Sequence, residues 1–240
     1  MPGWLDPAGW LSAEEWQAVR LSLSVALRSV LFGLPPAVLA AWLLARGRFP
    51  GRAVLDALVH LPLVMPPVVV GWLLLVTLGI RGPVGGLLHE WFGLRLVFTT
   101  AGAALATAVM SFPLIVRAVR LSLEQVDPGL EAAARSLGAG PIDRFVTITL
   151  PLIAPGILSG AITAFAAGLG EFGAVITFAS NIPGQTQTLP LAIYSATQSP
   201  GGEATAAKLA GISLSLAIAG LLLAEWTGQR LRRALGREAA

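Results

Sequence analysis

The sequence predicts an all-α membrane protein, a bundle of about five helices crossing a bilayer, and three observations carry that prediction. Of its 240 residues 55% are hydrophobic and 12% charged, so a water-soluble globule would leave large apolar patches exposed. Five stretches, near 19–45, 53–78, 97–116, 150–178 and 209–226, reach the roughly 20 apolar residues a helix needs to span about 30 Å of hydrocarbon. The cations are also unevenly shared: eleven of sixteen Lys and Arg follow the first, third and fifth stretches.

The first stretch is entered through Ser12-Ala-Glu-Glu15, a capping box in which serine and glutamate each satisfy an orphan backbone N–H of the other. Trp4, Trp10 and Trp16 surround that entry at the depth where aromatic rings anchor a helix among headgroups. No basic start followed by a short apolar run and a small-residue cleavage site is present, so no removable signal peptide is expected. The second stretch holds prolines at 62, 66 and 67, which interrupt backbone hydrogen bonding; a membrane tolerates this where neighbouring helices or a water-lined cavity satisfy the freed carbonyls. A kink used only for packing is an equal reading. Asp56 and His60 in the same stretch are spaced for an i,i+4 contact. A loop from 181 to 203, rich in Pro, Gly, Gln, Thr and Ser, holds an apolar patch at 189–194 too brief to cross, and it is expected at the surface or as a re-entrant piece.

Short cytoplasmic loops accumulate Lys and Arg. Arg46, Arg48, Arg52, Arg117, Arg120, Arg135, Arg144, Arg230, Arg232, Arg233 and Arg237 lie on one predicted side, against Arg20, Arg81, Arg95 and Lys208 on the other, with Arg28 inside the first stretch. This bias predicts an outside N-terminus, a cytoplasmic C-terminus and a cytoplasmic loop at 127–150. The whole chain, 1–240, reads as one transmembrane domain.

That loop has its own grammar. Asp127-Pro128 is a helix-start signal; Leu130, Ala133, Ala134 and Leu137 recur at helical spacing, with Glu131 and Arg135 on the wetter side. Gly138 is the natural stop, and Gly140-Pro141 turns the chain into a second helix with Ile142, Phe145, Val146 and Thr149. Two short helices set at an angle are expected. On chemistry alone they are either an amphipathic connector resting on lipid or a docking element for another protein.

The same residues resemble the membrane-spanning subunits of prokaryotic ABC importers, whose cytoplasmic loop carries E-A-A-x3-G-x9-I-x-L-P. Anchored on Gly138, the pattern aligns Ile148, Leu150 and Pro151, with Ala133 and Ala134 as the alanine pair. The glutamate position falls on Ala132, and Glu131 sits one residue earlier, about 100° around a helix. Further stretches are similar to the molybdate-importer permeases: LPLVMPPVVVG at 61–71, SFP at 111–113, GEFGAVITF at 170–178 and NIPG at 181–184. The short length fits the compact type, with no extra N-terminal span or C-terminal regulatory domain expected.

The resemblance implies that Glu131, Ala132, Ala133, Ala134, Arg135, Leu137, Gly138 and Ala139 couple to a separate ATPase. It implies a second copy of the permease, two ATP-binding cassette subunits that bind ATP and Mg, and an extracytoplasmic oxyanion-binding protein. Membrane lipid is the remaining partner, in the cytoplasmic membrane of a bacterium or archaeon. Pathway or gate candidates are His60, Pro66, Glu171, Gly173, Thr177 and Asn181. Glu171 is costly in hydrocarbon and repels an anion, so it is expected to pair with a cation, Arg28 being one choice, or to cap a broken helix near the outer mouth. Thr177, Ser180 and Asn181 offer neutral donors to an oxyanion or serve an ordinary turn.

Other classes fare poorly. There are no cysteines, which removes thiolate chemistry and disulfides. His60 and His89 are the only histidines and fall on opposite predicted sides, so no metal is expected. The single lysine lacks a phosphate-loop spacing, no hydrolytic constellation appears, and a net charge of +3 is too small and scattered for nucleic acid. The expected role is a non-enzymatic permease subunit for molybdate, the alternatives being tungstate or sulfate, or an ion-coupled secondary transporter.

Overall fold

A computed structural model describes residues 10–234; Trp4 and Arg237, named above, lie outside that range. Among the described residues four helices are long and apolar enough to cross a membrane: α1 (Ala13–Arg46), α5 (Thr100–Glu124), the continuous run Pro141–Leu169, and α11 (Glu203–Ala234), in which Glu203–Arg230 meets that test. Within the third of these, α7 (Pro141–Arg144) passes through a π-helical turn (Phe145–Thr149) into α8 (Leu150–Leu169). The second predicted stretch is not one straight helix. It is α2 (Arg52–Val64) and α3 (Pro67–Leu78), related by a bend of 117°. Met65 and Pro66 each precede a proline, which pushes both off helical backbone; their ψ angles are 143° and 133°, and the helix breaks between them. Val59, with Leu55 against it, belongs to the buried cluster that holds Val119, whereas Leu74 and Leu78 pack against the cluster that holds Ala103.

The fourth stretch departs from expectation too. Its helix stops at Leu169, and α9 (Gly173–Ala179) starts after a three-residue break. A short helix, α4 (Pro83–Phe92), follows α3, and the docking helix α6 (Pro128–Ser136) follows α5. The apolar patch of the 181–203 loop forms α10 (Leu189–Thr197), which does not cross. It is packed on α1 and α11, with Leu189 and Leu191 fully buried and the Leu189 N–H donating to Ser22 Oγ at 2.6 Å.

The centre is α1, α5 and α8 packed on one another. Lipid tails are as apolar as leucine, so helices associate in a membrane by close van der Waals approach, and small residues permit it. Ala26, Ser29, Ala37 and Ala41 lie on the buried face of α1 beside Val25, Val30 and Leu44, and Ala103, Ala106, Thr107 and Ser111 on that of α5 beside Ile115, Val116, Val119 and Leu123. On α8 a Cβ at Gly160 would lie 3.0 Å from Ala118 Cβ, and one at Gly168 would lie 2.8 Å from Thr107 Cγ2. Large apolar side chains such as Phe32, Trp72, Trp91, Leu222 and Trp226 point outward, as a lipid-facing surface requires. The Ser12–Glu15 capping box forms as the sequence predicts, and Glu15 also pairs with Lys208 at 2.6 Å, tying the start of α1 to α11.

Candidate functional site

The segment expected to dock, 127–140, is built by local devices. Asp127 Oδ1 accepts from the Gly129 N–H at 2.8 Å, and Pro128 occupies the first turn, as anticipated. At the other end Gly138 takes φ +91°, a backbone that only glycine adopts without strain. The Ala139 N–H reaches the Ala134 carbonyl at 3.0 Å and the Gly138 N–H the Arg135 carbonyl at 3.1 Å, the paired bonds of a Schellman stop. Beyond it, Pro141 opens α7, and the chain continues into the membrane-length helix, not into a separate short one. Pro151 has no N–H to offer the ladder. The turn before it slips to π spacing, with Leu150 N–H bonding Phe145 O, and the run remains unbroken.

Of the two residues expected on the wetter side of α6, Arg135 is exposed and Glu131 is not. In the apolar stripe Leu130 and Leu137 are exposed, Leu137 at 88%, and Ile142 beyond the turn is 79% exposed. Ala132, Ala133, Arg135 and Gly138 are exposed as well, while Glu131 and Ala134 are partly covered and Ala139 is intermediate. No α6 residue is buried. Glu131, placed on the wetter side by periodicity, turns toward the bundle: its Oε1 accepts from Thr149 Oγ1 at 3.0 Å and lies 3.4 Å from Arg46 Nη2. Periodicity ranks faces by polarity, and here a buried hydroxyl and a cation on the bundle outweigh an apolar stripe. The outer face therefore carries Leu130, Ala132, Ala133, Arg135, Ser136 and Leu137, leading into a tight turn.

Of the pathway candidates, Pro66, Glu171, Gly173, Thr177 and Asn181 lie on or beside α3 and α9, which pack on each other. Gly71 and Gly173 let α3 and α9 approach at backbone distance: a Cβ at Gly71 would sit 2.7 Å from the Ala174 carbonyl oxygen, and one at Gly173 would sit 2.7 Å from Pro67 Cβ. Pro66 is the N-cap of α3, directly at the break. Glu171 lies in the other break, and its Oε1 accepts from the Ala174 N–H at 2.9 Å, capping α9. Of the two roles envisaged for it, the structure shows the cap; among the described residues it makes no ion pair. Arg28 lies elsewhere, on an apolar groove of about 850 Å³ with Phe32, Pro36, Leu58, Pro62 and Phe112.

The neutral donors are engaged locally. Thr177 Oγ1 bonds Gly173 O at 2.8 Å within α9, and Asn181 Nδ2 donates to Ser195 Oγ at 2.7 Å, leaving the buried Asn181 Oδ1 without a partner. Ser180 adopts φ +64° at the turn that follows. His60 meets Asp56 as the spacing predicts, Nδ1 to Oδ1 at 3.2 Å, on α2 ahead of the break. It belongs to a charged cluster in which Asp56 also pairs with Arg120 at 3.0 Å and Arg120 with Glu124 at 2.9 Å. Sequence reasoning missed the contacts of Arg46 and Thr149 with Glu131; neither carries a local signal, since each is brought to Glu131 only by folding.

A helical membrane bundle with two broken helices packed together and an exposed small-residue turn at one end is the architecture of a membrane-embedded transport subunit, and comparison with known proteins gives the class. A family model described as binding-protein-dependent transport system inner membrane component matches residues 33–233, and the chain belongs to that family. It is similar to the molybdenum transport system permease protein ModB of Escherichia coli strain K12, 58% identical over 227 residues that cover 95% of this chain and 99% of the relative. The ModB of Haemophilus influenzae is 53% identical over 222 residues, covering 92% and 97%. Among solved structures, a bacterial alginate ABC transporter in complex with an alginate pentasaccharide-bound periplasmic protein superposes with a TM-score of 0.73 at 21% identity, over 92% of this chain and 80% of that one; it shows the shared fold. The chain is thus a multi-pass inner-membrane component, and its class works with an ATPase and a binding protein.

Proposed function

We propose that this chain forms, with a second copy of itself, the passage for molybdate through the cytoplasmic membrane of a bacterium or archaeon. The observation that carries the reading is the near full-length identity with molybdenum transport permeases, over a chain that presents an exposed docking turn. The N-terminus lies outside, and the C-terminus and residues 127–150 lie in the cytoplasm, in keeping with the cation bias. Two ATPase subunits bind ATP and Mg and each grips one docking turn through Ala132, Ala133, Ala134, Arg135, Leu137, Gly138 and Ala139. An extracytoplasmic binding protein delivers the oxyanion. The chain itself is no enzyme.

Transport is a population shift. Closure of the ATPase pair draws the two docking turns together and favours a passage open to the outside; hydrolysis releases them and favours one open to the cytoplasm. Free energy enters only as differential binding of the motor to the two states. The break at Met65-Pro66 and the break at Gly170–Phe172 are where the passage changes shape, because helix there is already interrupted and little hydrogen bonding has to be broken. Pro66, Glu171, Gly173, Thr177 and Asn181 line or position that region, and His60 sits at the inner half of the bent pair.

The test is uptake of labelled molybdate into vesicles holding the permease, the ATPase and the binding protein, with unlabelled tungstate and sulfate as competitors. ATP-dependent uptake that sulfate fails to inhibit supports the reading. Uptake that persists without nucleotide would instead favour an ion-coupled carrier, and full inhibition by sulfate would reassign the substrate.

A further inference from the structure

A docking helix that buries none of its residues has little packing through which to move the bundle. It is joined to α5 by the short turn at 125–127 and to α8 through the glycine turn at 138–140, both of which can absorb a displacement. Among the described residues a polar side-chain link reaches across. Glu131 Oε1 is shared by Thr149, at the root of α8, and Arg46, the last residue of α1. The same Arg46 Nη2 lies 3.4 Å from the Leu123 carbonyl at the end of α5. One carboxylate therefore joins the docking helix to the ends of all three central helices, directly beneath the core formed by Ala41, Leu44, Val119, Leu123 and Ile153.

We propose that Glu131, Arg46 and Thr149 form an internal clasp that transmits movement of the docking helix to α1, α5 and α8, and that Glu131 acts through this clasp, not through the ATPase. This rests on the permease reading above. The clasp is slack: both Arg46 contacts are 3.4 Å long, and Arg46 Nε is buried with no partner, so a small approach of α6 would bring a second donor onto the carboxylate. Glu131 and Arg46 are about a quarter to a third exposed, which keeps the desolvation cost low while Thr149, 3% exposed, fixes the geometry. As a positioning residue, Glu131 changes the stroke without touching substrate.

The experiment uses the full complex in proteoliposomes and measures molybdate uptake, ATP hydrolysis and retention of the ATPase on the permease. Glu131→Gln and Arg46→Gln are each expected to lower uptake per ATP hydrolysed by roughly two- to fivefold, with ATPase retention unchanged, and the double variant to be no worse than either single one. Additive losses, an unchanged ratio, or loss of ATPase retention in Glu131→Gln alone would overturn the clasp. Absence of ATP-driven uptake by the unaltered complex would overturn the permease reading instead, so the two failures are separable.

Discussion

Replacing Gly138 separates what the docking turn does for its own chain from what it does for a partner. At φ +91° an L side chain costs about 1–2 kcal/mol, and that penalty is nearly the same for Ala and Trp. No atom lies within 4 Å of the position a Cβ would take, so neither side chain meets a steric barrier inside this chain. Since α6 buries nothing, the strain frays the end of one short helix, and the melting temperature of the isolated permease should fall little and equally for Gly138→Ala and Gly138→Trp. A surface seated on the turn feels the two differently. Alanine should lower uptake by about tenfold or less, the equivalent of its backbone strain, and Gly138→Asn by less still because asparagine tolerates this backbone. Tryptophan places an indole in the gap between two close backbones and should abolish both ATPase retention and uptake. The assay is pull-down of the ATPase together with vesicle uptake, after a check that each variant is inserted. A tryptophan variant that matches the alanine variant in both measurements would refute the argument that this face is covered by another protein.

Three further outcomes follow from the geometry. Gly71→Leu forces atoms against the Ala174 carbonyl and Thr177, and overpacking of this kind costs about 1–3 kcal/mol; a lower melting temperature in detergent and impaired uptake are expected, and normal uptake would mean that α3 and α9 separate freely. Glu171→Ala removes the cap on α9, worth about 1 kcal/mol, whereas Glu171→Gln keeps a carbonyl oxygen for the Ala174 N–H; uptake should therefore survive in Gln better than in Ala, and the opposite order would show that charge at 171 matters more than the cap. Asp56→Asn breaks a partly exposed pair with Arg120 and should shift stability by less than about 1 kcal/mol, so a large fall in melting temperature would show that this cluster bears an unexpected load.

Much of the architecture was legible because membrane insertion writes itself into composition. Apolar length, the cap at Ser12 and the Asp127 and Gly138 signals depend only on neighbours in the chain, and each appears where local chemistry puts it. The misreadings share a cause. A hydropathy window counts apolar residues and cannot see direction, so 53–78 and 150–178 both read as single spans although the backbone breaks in each. Two consecutive pre-proline positions hinted at the first break; Gly170 and Gly173 around a carboxylate hinted at the second. The inward turn of Glu131 had no such hint, because Arg46 is 85 residues from it and Thr149 is 18 away.

What the sequence by itself determined was therefore the solvent, the number of apolar segments, the helix starts and stops, and the family to which the chain belongs. Tertiary structure alone decided which breaks pack together, which face of the docking helix looks outward, and which cation meets Glu131. The physical reason is that caps, turns and hydropathy are energies between near neighbours along the chain, whereas the contact of α3 with α9 and the reach of Arg46 exist only after distant helices have packed.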